Sequence, residues 1–169
     1  MFCRRITKYD SKYRNKNGFY TKEEWTSYSD IGKVFGNEKC TYEKYSKIED
    51  AYINSIQLFM DCLRLESLQI TNLENFKRSE LSRLCDSTMV AMIDSVQNLR
   101  HLNKTDLVVL SRLVLRENLW CKLQAKNMFV HFGYDYYMYI GSNEPCQYAI
   151  SKIQELGLFV EVYHSPYLE

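Results

Sequence analysis

The clearest pattern in the chain is a series of apolar residues spaced three and four positions apart between residues 42 and 63. This spacing draws one apolar stripe along an α-helix and leaves the opposite side polar. Thr41 precedes the stripe, and its hydroxyl can accept from the free amides of the first turn. The pattern predicts a helix from about Tyr42 to Leu63, with a stripe made of Tyr45, Ile48, Tyr52, Ile56, Phe59 and Leu63.

Three further helices are predicted from weaker stripes and from start and stop signals. Residues 98–104 are interpreted as a connection between two of them. A proline is tolerated in the first turn of a helix, and a glycine commonly ends one. The three helices are Ser79 to Val96 with a break near Asp86 and Ser87, Thr105 through Val114, and Pro145 to Leu156 ahead of Gly157.

The period changes to two after Asn118, which is typical of strands with one buried face. Two of these runs are separated only by Gly133-Tyr134-Asp135, a spacing that predicts a β-hairpin. The predicted strands are Phe2 to Lys8, Ser67 to Thr71, residues 119–124, Met128 to Phe132, Tyr136 to Ile140 and Leu158 to Tyr163.

This order of elements predicts an α+β fold in one domain, residues 1–169. A mainly antiparallel sheet, with a C-terminal ββ(β)αβ order, is expected to pack against a group of central helices. The stretch from Arg4 to Lys33 fits neither period for long, yet it is rich in aromatic residues, unlike disordered segments. We therefore expect an ordered lead that lies across the body of the domain.

The net charge of the chain argues against two classes of function. The 22 basic and 21 acidic residues leave a net charge of +1, which argues against a strongly basic nucleic-acid binder and against a heavily acidic nucleic-acid mimic. No apolar run is long enough for a transmembrane helix, and the start MFCRR has no signal-peptide core. A cytoplasmic protein without a membrane partner is expected.

Candidate catalytic chemistry is sparse. No metal-binding, phosphate-binding or nucleophile motif is found, so we expect no catalytic residue, no cofactor and no metal. The six cysteines are widely spaced and are interpreted as buried, reduced thiols. A pairing in space of Cys121 or Cys146 with His131 stays open, and with it a cryptic hydrolase or nuclease.

Paired carboxylates occur at Glu23-Glu24, at Glu49-Asp50, and at Asp61 with Glu66. Those on the first helix are expected on its solvated face or its edge. The alternative is an acidic contact surface, which would attract a positively charged nuclease active site.

Most of the 14 tyrosines fall in three clusters, Tyr9 to Tyr28, Tyr42 to Tyr52 and Tyr134 to Tyr139. Tyrosine combines large contact area with few rotors, which suits protein interfaces. We expect Tyr45 and Tyr52 in the core, whereas Tyr137 and Tyr139 suit an interface or a position under a loop. Arg and Lys interleaved with tyrosines before residue 17 leave an RNA-binding module as an alternative.

The runs RRITKYD and EEWTSYSDIGK, within residues 4–33, and HFGYDYYMYIGS, residues 131–142, resemble small bacterial immunity proteins. These are the cytoplasmic antidotes of contact-dependent growth inhibition and related polymorphic toxin systems. The resemblance implies an antitoxin that binds one cognate toxin domain, often a nuclease, and blocks its active site without chemistry of its own.

On this hypothesis the partner is a toxin protein bound one-to-one, with no direct nucleic-acid contact. Aromatic anchors with a carboxylate rim are the expected contacts. The predicted partner-binding residues are Glu23, Glu24, Trp25, Tyr28, Asp30, Tyr137 and Tyr139.

Overall fold

A computed structural model describes residues 1–75 and 85–168, apart from the side chain of Asn75. Four helices and nine strands are assigned among these residues, together with two short 3-10 turns, Ser11–Tyr13 and Tyr28–Asp30. The helices are α1 Tyr42–Cys62, α2 Ser87–Ser95, α3 Lys104–Leu115 and α4 Gln147–Glu155. The strands are β1 Phe2–Thr7, β2 Val34–Phe35, β3 Glu38–Lys39, β4 Ser67–Asn75, β5 His101–Asn103, β6 Leu119–Ala125, β7 Met128–Phe132, β8 Tyr137–Ser142 and β9 Phe159–Val162.

Seven of these strands form one antiparallel sheet in the order β5-β4-β6-β7-β8-β1-β9. β1 lies between β8 and β9, so that Arg5 faces Tyr139 on one side and Glu161 on the other. The N-terminal strand therefore joins the C-terminal hairpin to the last strand. The predicted α+β class, with a mainly antiparallel sheet against helices, is confirmed.

The helix α1 forms for the reasons that its sequence indicates. Thr41 accepts a hydrogen bond from the amide of Lys44, which caps the first turn. The predicted stripe faces the core, and Tyr45, Tyr52, Ile56 and Phe59 are fully buried. The core position predicted for Tyr45 and Tyr52 is confirmed.

Glu49 departs from the sequence prediction of a solvated face or edge. The Glu49 side chain is 1% exposed. Arg116, which lies just after α3, donates two hydrogen bonds of 2.7 Å to the Glu49 carboxylate, from Nε to Oε1 and from Nη2 to Oε2. The Tyr45 hydroxyl also donates to it, at 3.2 Å. A buried carboxylate requires such compensation. The prediction for Glu49 was wrong because its partner lies 67 residues away in the sequence.

The middle of the chain contains one strand that the sequence analysis missed. Residues 98–104 were predicted as a connection, but β5 lies within them and pairs with the start of β4. Its three residues are too few to show a period. The predicted helix from Ser79 falls partly outside the described residues; within them α2 begins at Ser87, capped by Asp86.

One disulfide corrects the prediction that all six cysteines are reduced. Cys62 at the end of α1 is bonded to Cys146, directly before α4. The two residues are 84 positions apart, a separation without a motif, so only the tertiary fold could pair them. α4 begins at Gln147, after the expected Pro145. Cys3, Cys40 and Cys121 are free thiols.

Side chains alternate between the two faces of the sheet. Ile6, Ile70, Val130 and Met138 lie on the face that packs against the helices, and all four are 0% exposed. The opposite face, here called the rear face, carries Arg5, Phe129, His131, Tyr137 and Tyr139. Among the described residues, no helix combines the length and the apolar character needed to cross a bilayer.

The C-terminal segment 163–168 crosses the rear face. Ser165 is hydrogen-bonded to His131, and Lys122 donates to the carbonyl of Tyr167. The Tyr167 ring lies about 6 Å from the rings of Tyr139 and Trp120. This segment therefore covers the aromatic side chains at the middle of the rear face.

The N-terminal lead is ordered, as predicted, and lies across one end of the sheet. Its buried Tyr9 donates a hydrogen bond to the carbonyl of Asp135 at 2.9 Å. The Trp25 ring packs edge-on against Tyr136 with centroids 5.0 Å apart. Both contacts attach the lead to the loop between β7 and β8.

Candidate functional site

The loop between β7 and β8, residues 133–136, has a strained backbone. Asp135 and Tyr136 have φ angles of 53° and 61°, in the left-handed region that non-glycine residues rarely adopt. Aspartate tolerates this region, but a bulky tyrosine does not do so readily. Gly133 and Tyr137 close the turn with an amide-to-carbonyl hydrogen bond of 2.8 Å. The turn leaves Tyr134 at its tip, 85% exposed.

Packing compensates the strain at Tyr136. Its ring is 5% exposed and meets the rings of Trp25, Tyr45 and Tyr52 edge-on, at centroid distances of 5.0, 5.8 and 5.1 Å. The Tyr52 hydroxyl donates to the Tyr136 carbonyl at 2.5 Å. Strained backbone held by its surroundings is a frequent mark of a functional site. We therefore take this loop as the starting point of the candidate site.

A cavity of about 930 Å³ opens beside the loop. It lies between the loop, the residues that follow α3, the beginning of β6 and the C-terminal segment. Its size is in the range of functional pockets, about 300–1,000 Å³. The described residues that line it are Thr26, Ser27, Glu74, Val114, Leu115, Glu117, Leu119, Trp120, Phe132, Gly133, Tyr134, Asp135, Tyr136, Tyr137 and Tyr167.

The walls of the cavity are largely aromatic. Trp120 and Tyr167 stand 5.9 Å apart by ring centroids, and the indole nitrogen of Trp120 donates to the carbonyl of Phe132 at 2.9 Å. Tyr137 is half-buried, and its hydroxyl accepts from Arg14 Nη1 at 3.0 Å. These bonds hold the rings in place, so flat apolar surfaces are presented to anything that enters.

All charged residues in the described lining of the cavity are acidic. Glu74, Glu117 and Asp135 line it, and none of the described lining residues is Lys, Arg or His. No ion pair joins any of these three carboxylates to another described residue. The Glu117 side chain is accessible from the cavity, yet partial desolvation, with repulsion from Asp30, raises its pKa. The cavity is thus aromatic and acidic.

Of the residues predicted for partner binding, Tyr137 lines this cavity. Trp25 and Tyr28 are half-buried and pack against the core on either side of Thr26 and Ser27, which line it. The lead segment therefore forms one wall of the cavity. The residues that form this wall are Thr26 and Ser27, and the predicted anchors Trp25 and Tyr28 lie on either side of them.

Asp30 and Tyr139 are buried, although both were predicted to bind a partner; for Tyr139 the structure shows the alternative, a position under a loop. The Asp30 carboxylate accepts from the amides of Thr26 and Ser27 and from Lys33 Nζ, at 2.8, 3.3 and 2.8 Å. Burial acts against ionisation of Asp30, but these hydrogen bonds outweigh it and lower its pKa. Tyr139 is 7% exposed beneath the C-terminal segment. Both side chains stabilise the fold.

Glu23 and Glu24 lie at a different groove, of about 330 Å³, which they line together with Trp25. Glu24 accepts from the Tyr20 hydroxyl at 2.6 Å and from Lys8 Nζ at 3.0 Å. The negative charge of Glu24 is therefore largely compensated by Lys8 and Tyr20 within the lead. Glu23 is exposed and remains available to a partner.

The pairing of His131 with a cysteine is not formed. Cys121 lies on the helix-facing side of the sheet, and Cys146 is in the disulfide. His131 Nδ1 instead lies 2.8 Å from Ser165 Oγ, and its ring stacks on Phe129. Burial, with repulsion from Lys122, lowers the pKa of His131 to about 4.

Three basic residues of the lead, Arg5, Lys8 and Arg14, are engaged within the protein. Arg5 and Arg14 both bind Glu161, with Nε–O distances of 2.6 and 3.1 Å. The Lys8 ammonium lies 4.1 Å from the Tyr9 ring and 4.2 Å from the Trp25 ring. Within the part of the chain that the structure describes, no group of three or more His, Cys, Asp or Glu residues is arranged to hold a metal ion.

Most of the cavity lining was not predicted from the sequence. Tyr134 and Asp135 were recognised as turn residues, and an exposed tyrosine at a turn tip is a signal that the analysis left unused. Glu74, the segment from Glu117 to Trp120, and Tyr167 are far apart in the sequence, and nothing local marks them as neighbours. No protein-family model matches the chain, and no curated protein or solved structure matches it.

Proposed function

We propose that the protein is an antitoxin that binds a cognate bacterial toxin domain one-to-one and blocks its active site through protein–protein contact. One observation carries this proposal: a large aromatic cavity whose described lining holds three carboxylates and no basic residue. The resemblance of residues 4–33 and 131–142 to immunity proteins supports the same role. We place the protein in the cytoplasm, where such antidotes act.

The charge of the cavity suggests the class of toxin. A nuclease holds the phosphates of its substrate with Lys and Arg side chains, so its active site is electropositive. Three carboxylates on one surface attract such a site and accelerate its encounter with the antitoxin. Because the whole chain has a net charge of only +1, the attraction arises from this local surface. A nuclease toxin domain is therefore the proposed partner.

Aromatic groups at the cavity provide the anchors that an interface of this kind needs. Tyr134 is exposed at the tip of a braced loop, and Trp120 and Tyr137 are fixed by hydrogen bonds. Ordered side chains of this type lose little entropy on binding and commonly dominate interface energy. The RNA-binding alternative is less well supported, because Arg5, Lys8 and Arg14 are engaged internally.

The decisive experiment uses the C-terminal region of a secreted toxin encoded beside this gene. We expect co-expression to restore growth of toxin-producing cells, and the two purified proteins to form a one-to-one complex by size-exclusion chromatography with light scattering. Tyr134→Ala should weaken the complex by about tenfold or more, since an aromatic anchor contributes about 2 kcal/mol.

Tyr148→Ala is the matched control. Tyr148 is 73% exposed, but it lies on α4, outside the cavity lining. Equal loss of affinity in the two variants would show that the cavity is not the contact surface. Absence of both a complex and growth rescue would overturn the antitoxin role.

A further inference from the structure

The cavity also suggests which group of the partner it recognises. We infer that it takes an arginine side chain, presented on a loop of the partner protein, with the guanidinium between the aromatic walls and the carboxylates. This inference rests on the proposed function, because it names the chemistry that the same cavity would capture.

The carboxylates come from three separate parts of the fold. Glu74 lies on β4, Glu117 follows α3, and Asp135 belongs to the loop between β7 and β8. None of the three forms an ion pair with a described cation. Partial burial, with repulsion from Asp30, raises the pKa of Glu117. A cation in the cavity is attracted by these carboxylates, whereas a neutral or anionic ligand is not.

Arginine fits these walls better than lysine. Its planar guanidinium stacks on aromatic faces and forms paired hydrogen bonds with carboxylates, whereas an ammonium is compact and more strongly hydrated. Trp120, Tyr134 and Tyr167 supply the aromatic faces. A cavity of about 930 Å³ also has room for more than one side chain, so the backbone that carries the arginine enters with it.

Capture of an arginine would explain how the toxin is silenced. In a nuclease, an arginine near the scissile phosphate contacts that phosphate directly and stabilises the charge that develops during reaction. Withdrawal of this group into an acidic cavity removes a substrate contact and covers the active site in the same step. The cavity then competes with the substrate phosphate for the arginine of the toxin.

The test uses two capped tripeptides, acetyl-Gly-Arg-Gly-amide and the same peptide with citrulline, which keeps the shape of arginine but has no charge. Binding to the purified full-length protein is followed by NMR through the indole N–H resonance of Trp120. That group is held by its bond to Phe132 and lies at the cavity. We expect the arginine peptide to shift this resonance and to bind at least about tenfold more tightly than the citrulline peptide.

Two conservative substitutions test whether the carboxylates of the cavity bind the arginine peptide. Glu117→Gln and Asp135→Asn remove charge but keep side-chain size, and asparagine also tolerates the left-handed backbone of residue 135. Each should weaken binding of the arginine peptide about threefold or more, with no change in the remaining amide spectrum. Glu66→Gln, at an exposed carboxylate outside the cavity lining, should leave it unchanged.

Equal binding of the two peptides, or no shift at Trp120 with either, would overturn the inference. Neither result involves the toxin, so the antitoxin role is judged separately by complex formation and growth rescue. Conversely, selective arginine binding without toxin inhibition would retain the site and reject the role.

Discussion

The buried ion pair between Glu49 and Arg116 offers the sharpest test of how this fold is held together. The carboxylate is 1% exposed, and the arginine side chain is 7% exposed. Two hydrogen bonds of 2.7 Å join them. Glu49→Met removes the carboxylate of this buried pair, and the loss of one partner from a buried pair typically costs about 3–5 kcal/mol.

Replacement of both partners should behave differently. In the double variant Glu49→Met, Arg116→Met no charge of the pair remains buried, and two flexible apolar chains fill similar space. The neighbouring groups keep other partners: the Tyr45 hydroxyl retains the Leu115 carbonyl at 3.2 Å, and Arg112 retains Asp50 at 2.8 Å. We expect the double variant to lie within about 1 kcal/mol of the wild type.

Urea unfolding followed by circular dichroism measures these changes as shifts of midpoint at constant slope. Asp61→Met is the control, because the Asp61–Lys104 pair also joins α1 to α3 but lies in solvent. Its effect should be much smaller than that of Glu49→Met. A cost below about 1 kcal/mol for Glu49→Met would refute the view that Arg116 depends on this carboxylate.

Two further predictions concern the disulfide and the rear face. Cys62→Ser, or reduction of the wild type, should lower the free energy of unfolding by about 4–5 kcal/mol, since the bond closes a loop over an 84-residue separation. Thermal melts with and without reductant measure this loss, and Cys62→Ser should melt alike in both. An unaffected wild type would show that the bond does not stabilise the fold. His131 has its pKa lowered from 6.5 to about 4 in the folded state, so the unfolded chain binds the extra proton first and stability should fall as pH decreases from 6.5 towards 4. The total loss is about 3 kcal/mol by this linkage, and His131→Phe should remove that part of the pH dependence in urea titrations; an unchanged pH profile would reject the assignment.

The elements of the fold were largely predictable, because their signals are local. The stripe of α1 and its cap at Thr41 occupy consecutive turns of one helix, and the alternation in β6 occupies neighbouring residues. Hairpin spacing predicted the turn at Gly133-Tyr134-Asp135. The start of β8 was misplaced by one residue, since Tyr136 belongs to the strained turn.

The candidate site was much less predictable. Tyr137 was identified from its strand and the tyrosine cluster, but the same pattern selected Tyr139, which the C-terminal segment buries. Strand alternation indicates which side chains share a face, and it cannot indicate what crosses that face. The acidic lining was missed because Glu74, Glu117 and Asp135 lie in three segments that carry no common motif.

The sequence by itself determined the α+β class, the principal helix, most strands of the sheet and the core tyrosines. Each of these depends on hydrophobic periodicity, which acts between residues a few positions apart. Only the tertiary structure decided the pairing of Glu49 with Arg116, the Cys62–Cys146 bond, the short strand β5 and the acidic aromatic cavity. These features depend on contacts between distant segments, whose energies arise only after the sheet and helices have packed.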